Sequence, residues 1–526
     1  MCGICGFTGY RQDQKTVIER MMKAIEHRGP DSEGSFCREK ITLGFRRLSI
    51  IDLEDGQQPM ESADGNLHIV FNGEIYDYKE LRAELEDFGI SFCTHSDTEV
   101  LVNTIQLYGE KALNKLRGMF GFAVWNEQEQ SLMLARDFFG IKPVYYAEID
   151  GHFVFASEIK SILAFPGYER KVNQKALEQY LSFQYSPLEE TFFKGIYKLM
   201  PGHMLLYKNG SYEIKTYFKP KLTPGQWDYK TNMAQLRSQL SEILKDSVKH
   251  HMLSDVEVGA FLSGGVDSGY LASSSGADQA FTVGFDEGDR YSEVNKAAKV
   301  AEKAGLKHHV KIISKQEFWD ALPDVMYHMD EPLADASAVA LYFLSKEAAG
   351  HVKVVLSGEG ADELFGGYNI YREPESLKKI DWIPFGVRRV IGKLAAKLPD
   401  VKGRDFLIRA GMKVEERFIG NAYIYREKEK AQILKNKVTG PSTQEYLKPF
   451  YEEFESENRG SLQDMEKMQS VDLNYWLPGD ILQKADKMSM AHSLEVRVPF
   501  LDKEVFDFAA KLPKEAKIAA GTTKYI

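Results

Sequence analysis

The stretch FLSGGVDS at residues 261–268 ends one strand-like run, VEVGAFL (256–262), and starts a helical one. A short apolar run entering Ser-Gly-Gly and then a helix reads as strand, loop and helix. Two glycines allow a tight turn that presents backbone N–H groups to an anion. The helix N-terminus adds partial positive charge, and Ser263 and Ser268 add hydroxyl donors. Asp267 does not belong in a pure anion site. A carboxylate beside phosphates asks for a bridging cation, and Mg²⁺ held by one or two carboxylates plus phosphate oxygens supplies it. The loop is not G-x-x-x-x-G-K-[ST], which disfavours a Walker-type nucleoside triphosphatase. A Gly-rich turn with an Asp near a helix start is also common as plain structure, so the surrounding chain must arbitrate.

Outward from this loop, AFTVGF, HHVKII and VKVVL are short buried-type strands separated by helical segments. That alternation predicts a parallel sheet in an α/β domain. A second cluster, SGEGADELFGG (357–367), leaves the carboxyl end of the strand at 352–356, where ligands of open α/β sheets bind. Glu359, Asp362 and Glu363 crowd that turn. Asp362 is the choice for a second Mg²⁺ carboxylate, with ordinary acidic N-capping as the alternative. From about Glu373 onward the pattern is mainly helical, and its Lys/Glu runs read as solvated helix surface.

Toward the N-terminus, roughly the first 210 residues read as mostly β. KITLGFRRLSIID, NLHIVFNGEIY, FGFAVWN, SLMLARD, PVYYAEID and HFVFASE are strand-like, with helical runs at 79–88 and 97–108. Ser96 and Glu99 form a capping box for the second helix. Stacked sheets covered by helices are expected. The Pro/Gly-containing stretch at 219–231 reads as a linker.

A length of 526 residues exceeds one ordinary domain and favours two to four. The net charge of −10 argues against a general nucleic-acid binder, which needs a basic face. No apolar run approaches the ~18 residues of a membrane span. No signal-peptide pattern opens the chain, which predicts a cytoplasmic protein with reduced thiols.

The chain begins MCGICG, and its cysteines are Cys2, Cys5, Cys37 and Cys93. Structural zinc prefers two close pairs, whereas Cys37 and Cys93 stand alone. A thioredoxin-like C-x-x-C follows a strand and opens a helix, which a pair at the chain end does not. A different chemistry fits better. Small second residues permit removal of the initiator methionine, which would leave Cys2 with a free α-amine. That amine titrates near about 8, so part of it is neutral at cellular pH. It can serve as base for its own side chain, with no separate catalytic histidine.

SGGVDS together with SGEGADELFGGY resembles the ATP pyrophosphatase domain of asparagine synthetases, which use ATP to adenylate a carboxylate and release pyrophosphate. The resemblance implies adenine contacts at Leu262, Val283 and Gly284. It implies ATP and pyrophosphate contacts at Ser263, Gly264, Gly265, Asp267, Ser268, Ser357 and Gly358, with Mg²⁺ on Asp267 and Asp362. GDILQKADKMSMAHSLEVRVPFLD (479–502) matches the family's helical tail motif and implies that Asp486, Lys487 and Arg497 join Glu359 and Asp362 at the synthetase site. Lys524 in GTTKYI matches a phosphate-binding lysine.

MCGICG, HRGPDS, FRRLSIID, FNGEIYDY and SDTEV together resemble class II glutamine amidotransferase domains. There Cys2 would attack the glutamine amide, form a thioester and release ammonia. The oxyanion on that route needs fixed donors; the resemblance implies the Asn72 side chain and the Gly73 backbone N–H. It implies Arg47 and Ile50 in the glutamine pocket, with Arg47 gripping the carboxylate in a fork. Glu74 and Asp97 would hold the amine. Each residue has an ordinary use as well. Asn-Gly is the best hairpin-turn dipeptide, Asp97 suits a helix N-terminus, and Arg47 suits a strand surface. His27 reads as a structural hydrogen bonder and Cys5 as a buried small hydrophobe.

The resemblance spans nearly the whole chain and implies a bacterial-type, glutamine-hydrolysing asparagine synthetase. The expected organisation is an α+β amidotransferase domain at 2–212 (Ntn-hydrolase-like stacked β-sheets with helices), a linker at 213–235, and an α/β synthetase domain with a helical extension at 236–526. Glutamine, aspartate and ATP are the implied partners, a homodimer is left open, and no nucleic acid or membrane is involved. Aspartate would become β-aspartyl-AMP, and ammonia would reach it by an enclosed apolar path. Two rivals stand beside this reading: an amidotransferase acting on another carboxylate, such as a cell-wall precursor, and a glutaminase or regulatory protein with an inactive second domain. The family continues through further helices after the K-Y-[IL] segment, whereas this chain ends at Ile526, so a shortened synthetase domain is expected.

Overall fold

Strand β1 (Gly3–Thr8) sends Ile4 to one face and Cys5 and Phe7 to the other, as period-two geometry demands. Both faces are buried, so both must be covered. The computed structural model describes residues 2–224, 229–286, 293–435, 440–458 and 463–526. In it β1 joins β2 (Ser32–Cys37), β3 (Ile41–Arg47), β8 (Tyr145–Ile149), β9 (His152–Ala156) and β10 (Ile196–Lys198) in an antiparallel sheet of order β10-β8-β9-β1-β3-β2. A second antiparallel sheet contains β4 (Met60–Glu61), β5 (Leu67–Ile75), β6 (Gly118–Asn126), β7 (Ser131–Arg136), β11 (His203–Lys208) and β12 (Ser211–Thr216), in the order β12-β11-β7-β6-β5-β4.

The two sheets stack. Ile4, Leu43 and Phe45 of the first pack with Val70, Ala123 and Leu134 of the second. The outer face of the first sheet buries Cys5 and Phe7 beneath the helices Gln14–Ala24 and Ile159–Leu163. The outer face of the second is covered by the helices Tyr78–Asp87 and Asp97–Tyr108. Cys2 faces the inter-sheet core while Cys5 faces the helices, so the C-x-x-C pair cannot converge on one metal. Ser96 caps the Asp97–Tyr108 helix through Thr98 N–H. Glu99 does not complete the capping box: its carboxylate takes the N–H groups of Cys93 and Thr94. Strand β12 runs to Thr216, past the boundary expected at 212, because its partner β11 pairs it along its length. Within the expected linker, residues 225–228 lie outside the described residues, and the helix Tyr229–His251 has already begun.

The second domain is a five-stranded parallel sheet of β13 (Val258–Phe261), β14 (Gln279–Phe285), β15 (Lys307–Ile313), β16 (Val354–Leu356) and β17 (Glu495–Arg497), in the order β15-β14-β13-β16-β17. The chain order reverses between β13 and β16, which opens a crevice at their carboxyl ends. FLSGGVDS leaves β13 there and SGEGADELFGG leaves β16. The segment after Glu373 is helical among the described residues apart from β17 and the short hairpin Ile518–Ala519 with Thr522–Thr523. No helix among the described residues is long and apolar enough to cross a membrane.

Candidate active sites

Asn72 and Gly73 lie inside β5, opposite Gly121 and Phe120 of β6, and form no hairpin turn. This strand carries the first site. The Cys2 N–H donates to Asn72 Oδ1 at 2.9 Å. Asn72 Nδ2 is buried with no hydrogen-bond partner among the described residues, a costly arrangement that suits a ligand. Along β5, Phe71 N–H donates to Gln58 Oε1 at 2.6 Å and Ile75 N–H to Asp97 Oδ2 at 3.0 Å. Alternation therefore turns the Gly73 N–H to that same edge, away from β6. The Cys2 thiol is buried, and desolvation holds its pKa above the usual value.

Three further groups surround it. Arg47 is 3% exposed and is held by backbone carbonyls, among them Leu53 O at 3.3 Å and Ile51 O at 3.4 Å. Among the described ion pairs no carboxylate partners it, so its charge is available to an anionic ligand. Ile50 O accepts the N–H of Asp255, which ties this loop to the second domain. Glu74 and Asp97 are buried side by side, and Glu74 is pushed well above the usual carboxylate range by burial and by the Asp97 charge. Two such carboxylates suit a cationic amine.

The second site is a cleft of about 790 Å³ lined by residues of both expected loops, including Leu262, Ser263, Asp267, Val283, Ser357 and Asp362. Gly264 has φ of +74°, and a Cβ there would come within 2.7 Å of Lys296 Cβ, so only glycine makes this turn freely. Ser263 and Ser268 hydroxyls meet at 3.0 Å, at the first turn of the helix Val266–Ser274. Gly265 precedes that helix, Ser268 and Gly358 line the cleft, and Gly284 follows Val283 in β14. Lys524 ion-pairs with Asp267 and lies 2.7 Å from Asp362 Oδ1. Two carboxylates from separate loops thus already share one cation, which is what a divalent ion requires of them. Glu359 lies in the cleft wall, its pKa raised by burial and by the Asp362 and Asp335 charges, against the opposing pull of Lys484.

Three residues expected at the synthetase site make their contacts at the domain boundary. Asp486 accepts from Arg28 Nη1 and Nη2 at 2.8 and 3.1 Å. Lys487 pairs with Asp330 at 2.6 Å, itself held by Lys160 at 2.9 Å and by Ile159 N–H. Arg497 donates to Glu74 Oε2 at 3.0 Å, to Glu495 at 2.5 Å, and to the carbonyls of His251 and Leu253. All three side chains therefore serve the boundary between the domains. The cause is the position of the helix Leu482–Met490 and of β17: both carry their charged faces against the first domain, where buried counter-charges await.

The same segment carries Lys484, which pairs with Asp335 and with Asp480 at 3.2 Å and whose charge acts on Glu359 of the cleft wall. Its signal was one position in the same motif, indistinguishable by spacing from its neighbours. Arg28 was also missed. It is fully buried, donates Nε to Cys2 O at 3.1 Å, and pairs with Glu158 at 2.9 Å as well as with Asp486. One guanidinium therefore links the thiol residue to the second domain. His27 bonds Glu158 at 3.1 Å, a structural contact. A cavity at the domain boundary is lined by Ile141, Tyr145, Tyr185, Pro478, Leu482 and Asp486.

Fold and sites together define a two-site enzyme architecture, a thiol amidotransferase-like sandwich joined to a doubly wound α/β domain. Residues 1–218 match the family described as glutamine amidotransferase domain and residues 239–526 the family described as asparagine synthase. The chain belongs to the asparagine synthase family. It is 46% identical to asparagine synthetase [glutamine-hydrolyzing] 1 of Bacillus subtilis over 99% of this chain and 83% of that protein. A putative asparagine synthetase [glutamine-hydrolyzing] of Mycobacterium tuberculosis is 39% identical over 100% of this chain and 84% of its own length. Amidase chry2 of Gibberella zeae is 30% identical over 98% of this chain and 83% of its own.

Proposed function

We propose that this chain amidates aspartate to asparagine, using glutamine as nitrogen donor and ATP as activator. The observation that carries the reading is that buried Arg28 ties Cys2, through Asp486, to the domain that bears the phosphate-type cleft.

At the first site the Cys2 sulfur attacks the glutamine amide carbon, and its proton passes to the α-amine freed by methionine removal. The tetrahedral oxyanion accepts from Asn72 Nδ2 and the Gly73 N–H. Fixed donors of this kind are worth about 3–4 kcal/mol each in related chemistry. Arg47 neutralises the substrate carboxylate, and Glu74 with Asp97 takes its ammonium. The C–N bond breaks as ammonia leaves with a proton, and water cleaves the thioester to free glutamate.

At the second site the turn at Gly264 and the helix N-terminus behind it hold ATP phosphates, with Lys524 as a cation. Asp267 and Asp362 fit Mg²⁺, which when bound would offset charge on the phosphates and on the departing pyrophosphate. The aspartate carboxylate attacks the α-phosphorus, pyrophosphate leaves, and ammonia then displaces AMP from the acyl carbon. Glu359, raised by burial, suits the group that takes the proton ammonia loses, and Lys484 suits an anionic acceptor. The boundary cavity suits an ammonia path, since free ammonia in water at neutral pH is mostly protonated and inert. An amidotransferase domain that runs through β12, followed by a synthetase domain, a cytoplasmic setting and homodimer formation belong to the same reading.

The test is pyrophosphate release with MgATP, with and without aspartate and glutamine, and mass analysis of the product. Aspartate-dependent release with asparagine formed is expected. Cys2→Ala should abolish glutamine-driven synthesis and leave ammonia-driven synthesis in place. Intact glutaminase without an aspartate response would instead point to another carboxylate acceptor.

A further inference from the structure

The amino end of the parallel sheet, opposite the nucleotide cleft, carries a cluster that the proposed reaction does not use. His309 lies near the start of β15, the edge strand. Glu347 sits in the last turn of the helix Ser337–Ala349, and His351 follows that helix before β16. One ligand atom from each of the three lies within 4.8 Å of the others. A tetrahedral zinc shell with bonds of about 2.0–2.1 Å brings its donors about 3.3 Å apart, a contraction within the reach of side-chain rotation. His351 Nε2 and Glu347 Oε1 are already 3.6 Å apart, and the two imidazole centroids are separated by 4.0 Å.

The surroundings prepare one histidine as a ligand. Gln279 Nε2 donates to Glu257 Oε1 at 2.7 Å. That carboxylate accepts only, so it fixes which way the Gln279 amide faces. Gln279 Oε1 is then left 2.9 Å from His309 Nε2. An amide oxygen there requires the proton on Nε2, which leaves the lone pair on Nδ1. A ligating histidine held through its other nitrogen by an oxygen acceptor is the usual outer-shell arrangement of metal sites. Phe281 packs beneath both rings, with centroids at 5.1 Å from His309 and 5.8 Å from His351.

We propose that His309, Glu347 and His351 form a binding site for a divalent transition metal of the Zn²⁺ class, with Gln279 orienting His309 and solvent completing the shell. Two imidazoles and one carboxylate favour such an ion over Mg²⁺ or Ca²⁺, which prefer oxygen alone. The ion would tie the edge strand β15 to the helix Ser337–Ala349 and to the turn that enters β16.

The test is calorimetric titration of the tag-free, chelator-treated full chain with Zn²⁺, in excess Mg²⁺ to occupy the carboxylates of the nucleotide cleft. The Cys2→Ala background removes the thiol of the first site, and Co²⁺ absorption spectra reveal any residual thiolate ligand. One equivalent of Zn²⁺ should bind, binding should be lost in His309→Ala and in His351→Ala, and Gln279→Leu should weaken it about 10- to 100-fold. Zn²⁺ should raise the melting temperature of the parent and not of the histidine variants. No binding, or binding that the histidine variants leave unchanged, would overturn the assignment.

Discussion

Replacing Arg497 by Met would separate the two sites functionally. The guanidinium is fully buried and makes hydrogen bonds to Glu495, Glu74 and the carbonyls of His251 and Leu253. Its removal takes a buried partner from Glu74 and from Glu495, and breaking a buried pair in this way costs about 3–5 kcal/mol. Glu74 is already held high by burial and by Asp97, with Arg497 opposing them. Without Arg497 its pKa rises further, which favours the neutral carboxyl and weakens its hold on the substrate ammonium. Loss of one charge-assisted hydrogen bond, about 1.5–3 kcal/mol, corresponds to a rise of roughly ten- to hundredfold in KM for glutamine. Ammonia-driven synthesis does not use Glu74 and should change little. The assays are glutamate release against glutamine concentration, ammonia-driven pyrophosphate release, and urea unfolding. Adding Glu74→Gln to Arg497→Met removes one of the two buried carboxylates that lose this partner, so the double variant should be more stable than the single one. If KM for ATP or aspartate rises while KM for glutamine holds, the Arg497 side chain works in the nucleotide cleft and the reasoning fails.

Lys524→Met should leave Asp267 and Asp362 without their shared cation and lower ammonia-driven pyrophosphate release by tenfold or more, with ATP-independent glutamate release unchanged; steady-state kinetics of the two half-reactions checks this. Stability should fall as pH drops from about 6.5 toward 4. Burial pushes His251 down to about 4 and His492 also down to about 4. In that window the unfolded chain binds more protons than the folded one, so stability rises with pH. The fully buried His251, whose Nδ1–H donates to Ser247 O at 2.8 Å, contributes on the order of 3 kcal/mol to this slope. Urea midpoints measured across the range should show it, and a flat profile would contradict it.

Local chemistry was legible where neighbours in sequence are neighbours in space. The turn at Gly264 and the acidic loop at Glu359 each follow a strand directly, so composition and position alone marked them as ligand loops. The thiol at position two was legible for the same reason. Helices and long alternating strands were legible through their periodicity. Strand β17 was not: three residues inside a helix-rich segment carry no period, and only pairing with β16 makes them a strand. The short first strand was hidden as well, because Gly3 and Gly6 interrupt its apolar alternation.

The segment at 479–502 marks the limit most clearly. Its motif implies one site, yet the Lys484 charge acts on Glu359 of the cleft wall while Asp486, Lys487 and Arg497 turn to the domain boundary. Consecutive residues on a helix or strand point to different sides, and spacing cannot say which protein surface lies on each side. Arg28 and Asp486 are 458 positions apart, a distance over which no local pattern carries information. The sequence by itself determined the loops at the strand ends, the thiol at position two and the class of each domain, because backbone sterics and hydrogen bonding act over a few residues. Only the tertiary structure decided which buried charges meet, because a charge removed from water must find its partner wherever the packing of the domains puts one.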